Sequence, residues 1–315
     1  MTIEAAPKRK PIPKSKEHTF ARHETFHLRD GWLYKGINAL TENGTAILQK
    51  TAHHELGMGI NMRKSLVYWI QAAGLANPDD VLRGNTRSLA LTPTAKLILE
   101  YDPYFEDVGT LWLIHMLLAS NRKFATLWYW AFNELAHRDF DEGRITASAQ
   151  ELLQRDGIEY IQESSIRKDA SCFIRTYLPA AARSTRVTGE DSLDCPLSTL
   201  GLIREAGMPG MFKFRIGHHR SLPTELFTYA LYRFKEEVNP NEPMISFEDV
   251  RWKPLSPGRL LCLDDRAIFD YLEELENTTP YARMIRTAGL NVISLDADTT
   301  SDGILTAYYD SQDSR

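Results

Sequence analysis

The sequence predicts a mainly helical α+β protein built from tandem winged-helix and helix-turn-helix-like units. Three observations predict it. Apolar residues recur at helical spacing over most of the chain, as in Met62, Leu66, Trp69, Ile70 and Ala73. Strand-like runs are few and short. A Gly84-Asn85 turn flanked by Arg83 and Arg87 stands between two helical segments. Helix, basic hairpin, helix is the order of a winged helix, in which a helix enters the major groove and the wing lies along neighbouring phosphates.

In chain order, a first amphipathic helix is expected over Gly31 to Leu40. Asn61 to Gly74 is a stronger signal, because Asn61 can cap it and Gly74 can end it in the left-handed conformation. Its outer face carries Arg63, Lys64, Tyr68 and Gln71, groups able to contact phosphates and base edges. Val81 to Leu91 reads as two short strands about the turn, after which Thr92-Pro93 opens a helix with a cap and a proline at its first position. Thr110 to Leu135 reads as two core helices joined at Ser120-Asn121. Their Trp112, Phe124, Trp128, Tyr129, Trp130 and Phe132 fall at core spacing, so they are assigned to packing and not to base stacking.

A second helix-turn-helix pattern lies between Ala147 and Tyr177. Ser164 or Ser165 caps a helix that buries Ile166, Ala170, Phe173, Ile174 and Tyr177 and turns Arg167, Lys168, Ser171 and Arg175 outward. A strand at Met211 to Ile216 and a helix from Ser221 follow, with a boundary at Pro240 to Pro243. Helices at Asp265 to Glu276 and Tyr281 to Ala288, a strand at Asn291 to Leu295 and a polar acidic tail from Asp296 complete the reading. The expected division is a flexible basic arm (1–18), a winged-helix-like domain (19–140), a helix-turn-helix-like domain (141–240), a small α/β unit (241–296) and an acidic tail (297–315).

A formal charge of -5 argues against a nucleic-acid binder until it is divided along the chain. From Asp264 to Arg315 there are 11 acidic and 4 basic residues, and the remainder carries a net +2. Lys8, Arg9, Lys10, Lys14 and Lys16 stand among three prolines near the start, a composition suited to searching a phosphate backbone or simply to solubility. Cys172, Cys195 and Cys262 lie far apart without CxxC spacing, which fits buried thiols in a reducing cytoplasm and no zinc finger. The most apolar run, Leu111 to Ala119, is about half the ~20 residues a membrane span needs. No membrane role is expected.

The densest polar cluster is FARHETFHLRDGWLYKG, Phe20 to Gly36. Cleaving a phosphodiester requires a base, positive charge on the developing phosphorane and a proton donor for the leaving oxygen. His23 can serve as base, Glu24 can orient His23 or hold a divalent metal, Arg22 or Arg29 can neutralise charge, and Thr25 stands beside them. The alternative is a basic strand entering the first helix, with His23 and Glu24 satisfying each other. His23-Glu24-Thr25-Phe26-His27 also spells HExxH, but Thr25, Phe26 and Gly31 oppose the helix that a zinc protease needs. His137-Arg138-Asp139 lacks the other parts of a kinase catalytic loop and reads as a helix end.

FARHETF, GWLYKG, LGMGINMRKSLVYWIQAAGL, LTPTAKLIL, DPYFEDVGTLWLIHMLLASN, ATLWYWAFNE and SIRKDASCFIRTYLP, in this order, closely resemble the bacterial SspB-type family, domain of unknown function 4007, from about Phe20 to Leu295. The resemblance implies a DNA-nicking protein of a phosphorothioation and anti-phage defence system, encoded beside a cysteine desulfurase, a PAPS-reductase-like iron-sulfur protein and an ATPase. The family's signature block maps onto Phe20 to Phe26 without a mismatch, although the role of each residue does not carry over. The expected function is therefore nicking of double-stranded DNA by Arg22, His23, Glu24, Thr25 and Arg29, with Arg63, Lys64, Arg83, Arg87, Arg167, Lys168 and Arg175 positioning the duplex. A divalent metal such as Mg2+ fits that chemistry and no organic cofactor is expected. A homodimer is expected because DNA sites are often met with two-fold symmetry. Two rivals stand: a non-catalytic DNA-recognition subunit of the sulfur-transfer complex, and a winged-helix transcriptional regulator.

Overall fold

The computed structural model describes residues 18–78, 88–135, 139–158, 161–179, 194–238, 240–287 and 290–313. Helices α1 (Trp32–Glu42), α2 (Ala52–Glu55) and α3 (Ile60–Ala72) lead into an antiparallel pair, β1 (Ala76–Pro78) with β2 (Leu89–Leu91), and then α4 (Pro93–Tyr101). Next come α5 (Val108–Ser120), α6 (Thr126–Asn133), β3 (Asp139–Phe140), α7 (Glu142–Arg155) and α8 (Glu163–Tyr177). Strands β4 (Ile203–Glu205) and β5 (Phe212–Phe214) join β3 in a sheet with β5 at its centre. After α9 (Thr224–Val238) the chain runs through β6 (Met244–Ser246), α10 (Phe247–Trp252), α11 (Pro257–Leu260), α12 (Asp265–Thr278), β7 (Ala282–Thr287), β8 (Leu290–Leu295) and α13 (Ser301–Asp313). Here β8 lies between β6 and β7, both antiparallel to it. The fold is mainly helical α+β, and no helix among the described residues is long and apolar enough to cross a membrane.

Helix α5 is apolar on nearly every side, so it can only sit inside; Gly109 to Met116, Leu118 and Ala119 are buried. Helix α6 buries Thr126 to Asn133 throughout and packs beside it. Asn121, between the two, donates to the carbonyls of Gln71 and Ala72 and accepts the Phe124 N–H. One side chain thus satisfies the open carbonyl end of α3 and starts the turn into α6.

Several local expectations hold for the stated reasons. Thr92 accepts the Ala95 N–H with Pro93 at the first position of α4, and Gly74 ends the α3 segment at φ +67°. Others are corrected. Asn61 lies inside α3, whose cap is Gly59, and the cap of α8 is Gln162; neither Ser164 nor Ser165 takes that place, and Ser164 lies exposed within the helix. Tyr68, expected outward, is buried against His23. The pairing strands begin earlier than expected, at Ala76, and the tip with Arg83 and Arg87 lies outside the described residues, as do residues 1–17 of the basic arm, His137 and Arg138.

Two errors fall near the end of the chain. Residues expected as a helix over Tyr281 to Ala288 form β7, because Ala282 and Met284 face Leu295 and Ile293 across a six-residue register. Cross-strand burial outweighs local helix preference there. The expected acidic tail contains α13, which buries Ile304, Leu305, Tyr308 and Tyr309 against α9 and the start of α5. Tyr308 donates to Asp107, Tyr309 meets Thr110, and Tyr101 donates to Asp310. A Cβ on Gly109 would strike the Tyr308 phenol, so only glycine allows this approach.

Inside this core, His115 Nδ1 accepts from the Tyr177 hydroxyl at 2.8 Å, and its Nε2–H donates to the Leu260 carbonyl at 2.8 Å. Burial, aided by His219, pushes the His115 pKa down to about 4 against the pull of that carbonyl, and burial and Arg215 lower His219 likewise to about 4. Both rings stay neutral in the fold and charge near pH 6.5 only once the chain unfolds. Stability is therefore complete above that pH and is lost as the pH falls toward about 4, by on the order of 3 kcal/mol per ring. Chemical denaturation should show this decline between about pH 6.5 and 4.5, with a shallower slope in His115→Gln. An unchanged slope in that variant would contradict the assignment.

Candidate functional site

The FARHETF segment is a tight turn clasped by three helices. Ala21, Glu24 and Thr25 all have positive φ, at 55°, 48° and 69°. For residues with a Cβ this costs about 1 kcal/mol or more each, so surrounding contacts must impose it. They are all present. Helix α8 supplies Asp169, whose Oδ1 accepts the Ala21 N–H at 2.6 Å and meets His23 Nε2 at 2.9 Å. It also supplies Arg175, which donates to the Thr25 carbonyl at 2.8 Å. From α3 the Trp69 indole donates to the Phe26 carbonyl at 3.1 Å, and from α6 Thr126 Oγ1 accepts the Thr19 N–H at 2.9 Å.

His23 is the anchor of the turn. Its ring is fully buried, edge-on to Tyr68 of α3 and Trp128 of α6, with Asp169 beneath it. The Thr25 N–H donates to its Nδ1 at 3.1 Å, which leaves Nε2 to carry the proton toward Asp169. Burial works against a charged ring, but Cys172 and Asp169 outweigh it and raise the His23 pKa, while burial lifts the Asp169 carboxyl against the pull of His23. A second proton on His23 would compete with the Thr25 N–H for Nδ1. The Thr25 N–H on Nδ1 thus corresponds to the ring with its single proton on Nε2. The expected partner of His23 was Glu24; in the fold it is Asp169.

The burial of His23 turns its neighbours outward. Arg22 and Thr25 are exposed, and Glu24 is half-exposed with its carboxylate 3.6 Å from Lys64 Nζ. Lys64 on α3 and Lys168 on α8 are exposed on the two helices that hold the turn. Other expected contacts have structural tasks. Arg29 is buried with its guanidinium over Phe26 and Trp32, Arg63 donates to the Ile47 carbonyl at 3.0 Å, and Arg167 pairs with Glu163 at 2.8 Å. His27 is buried, and residues 26–29 are not helical, so the HExxH spelling does not form a helical ligand pair. Arg83 and Arg87 lie outside the described residues.

The family model described as "Protein of unknown function (DUF4007)" matches residues 20–309. The chain belongs to this family. A magnesium ion-bound SspB crystal structure is 30% identical and superimposes with a TM-score of 0.85 over 94% of this chain and 89% of its own. A second SspB crystal structure, 29% identical, gives a TM-score of 0.83 over the same shares. No curated protein matches. Agreement across nearly both whole chains makes this an SspB-type protein.

In this SspB-type chain, no group of three or more His, Cys, Asp or Glu side chains arranged to hold a metal occurs among the described residues. Glu24 is the one carboxylate on the FARHETF turn, and it is shared with Lys64. The described residues of the turn do not form a ready-made Mg2+ cage.

Asp169 was not singled out in the sequence, and Tyr68, expected on the outer face of α3, faces His23 instead. Asp169 left a signal: with Ile166 and Phe173 at helical spacing it occupies the apolar stripe of α8, where an acid must have a buried partner. Asp169→Ala should lower stability by roughly 3 kcal/mol, since it strands the His23 ring and the Ala21 N–H together, whereas Asp169→Asn keeps an acceptor and should cost about 1 kcal/mol. Hydrogen exchange at residues 20–26 should rise in the alanine variant alone. Equal stability and protection in all three proteins would refute this role.

Proposed function

We propose that this protein binds double-stranded DNA across α3, the FARHETF turn and α8 and nicks one strand there, in a phosphorothioation system. The observation that carries the reading is the assembly of the turn between the two helices whose outer cations were predicted to meet phosphates. Three separated sequence segments meet at the turn, and each carries an exposed cation, Arg22, Lys64 and Lys168. Family membership supports the same reading, and the order α3, β1, β2, α4 is compatible with a winged helix whose hairpin follows the backbone.

Within this proposal the chemistry falls to the exposed members of the turn. Glu24, whose carboxylate lies 3.6 Å from Lys64 Nζ, takes a proton from the attacking water. Arg22 stabilises charge on the phosphorane and Thr25 donates to a diester oxygen, and as the water oxygen bonds to phosphorus one P–O ester bond breaks, its leaving oxygen taking a proton from solvent water. His23 acts as a positioning residue, and Arg29 and Arg63 hold the scaffold. Because SspB has been crystallised with magnesium, Mg2+ belongs in the assay. The cysteine desulfurase, the iron-sulfur protein and the ATPase are the proposed partners, and a nick would free an end for sulfur transfer.

A second reading, a non-catalytic recognition subunit, is favoured by one fact: the strongest base candidate, His23, is sealed away from any diester. Supercoiled plasmid distinguishes the two. Under the nicking proposal Glu24→Gln should slow relaxation ~100-fold or more while duplex affinity stays within a few-fold. Lys64→Ala and Lys168→Ala should each weaken binding and reduce its salt slope by about one. Relaxation that survives both Glu24→Gln and Arg22→Ala, or that is absent across Mg2+ and Mn2+, would favour the recognition subunit.

A further inference from the structure

A second polar site lies one turn along α6 from the His23 anchor. Trp128 touches His23, and Phe132, four residues on, lines a cavity of about 190 Å³ between α6, β5 and the α10–α11 segment. Its floor is apolar, formed by Phe132, Phe214 and Ile216. Its mouth carries Trp252, 44% exposed, with the guanidiniums of Arg251 and Arg259 lying 4.4 and 5.5 Å from the ring centre.

The two arginines are not equivalent. Arg251 is paired with Asp265 at 2.5 Å. Half-buried Arg259 gives its Nε–H to the Trp252 carbonyl at 3.3 Å and has no carboxylate partner among the described residues. Glu134 pairs with Arg155 at 2.7 Å and also acts on Arg259, while Asp264, which accepts the Ala267 N–H at 2.9 Å, lines the cavity beside Asp265. Burial pulls the Arg259 pKa down against the opposing pull of Cys262 and Glu134. The segment that presents it is bounded by two positive-φ residues, Leu255 at 70° and Cys262 at 51°. Such conformations concentrate where a backbone is held for a ligand.

An aromatic floor beside a guanidinium without a paired carboxylate complements a planar ring joined to an anion. We propose that this cavity binds a nucleotide, with the base against Phe132, Phe214 and Ile216 and a phosphate on Arg259. The source is either a free mononucleotide or an unstacked nucleotide of a nucleic-acid strand. Both present the same base and phosphate.

The full chain should be titrated with deoxyadenosine 5′-monophosphate, with tryptophan fluorescence as readout and Trp252→Phe to assign the signal. Saturable binding is expected, weakened about tenfold or more by Arg259→Gln, which removes the charge, and by Ile216→Trp, which fills the cavity. Displacement of the mononucleotide by a short single-stranded oligonucleotide would identify the strand as source; failure to displace it would identify the free nucleotide. The proposal is overturned if no saturable binding occurs, if inorganic phosphate binds as tightly as the mononucleotide, or if both folded variants bind as wild type does. Plasmid relaxation by the wild type is independent of these outcomes, so the nicking proposal and this one fail separately.

Discussion

The buried contact between His23 and Asp169 is the constraint on which the candidate site depends. It joins residues 146 positions apart and determines which way every other side chain of the FARHETF turn faces. A buried carboxylate is tolerable only where hydrogen bonds replace its water, and Asp169 obtains two, from the His23 ring and the Ala21 N–H. In return the turn is held in a conformation its residues would otherwise avoid. Tyr68, Trp69 and Trp128 enclose the pair and complete the grip from α3 and α6.

The same economy recurs across the core. Polar side chains inside this protein join distant segments at helix ends and loop carbonyls. Asn121 closes the end of α3, His115 bridges α8 and α11, and Asn133 accepts the Leu255 N–H ahead of α11. The tyrosines of α13 and α4 hold the C-terminal helix against α5 by bonds to Asp107, Thr110 and Asp310. Directional bonds of this kind add specificity to a core whose apolar faces alone would accept several arrangements.

Electrostatics divides the surface by task. Cations that pair within the fold, such as Arg122 with Asp156 and Arg167 with Glu163, leave little net field. Cations outside such pairs include Arg22 and Lys168 beside the turn and Arg259 at the α11 cavity. Helix α6 connects the two through Trp128 and Phe132, so a shift in its packing would be felt at both.

The sequence by itself determined what repeats locally. Helix spacing placed α1, α3, α5, α6, α8 and α12 closely, and the Thr92-Pro93 pair marked the start of α4, because capping and apolar periodicity act within a few residues. The FARHETF block was legible as a dense set of unusual polar residues. Only the tertiary structure decided which of them are buried, since His23 and Arg29 read no differently from Arg22 until Asp169, Trp32 and Trp128 are brought around them. The same holds for β7 and α13: strand pairing with β8 and the docking of Tyr308 and Tyr309 on α5 are long-range gains that no local window contains.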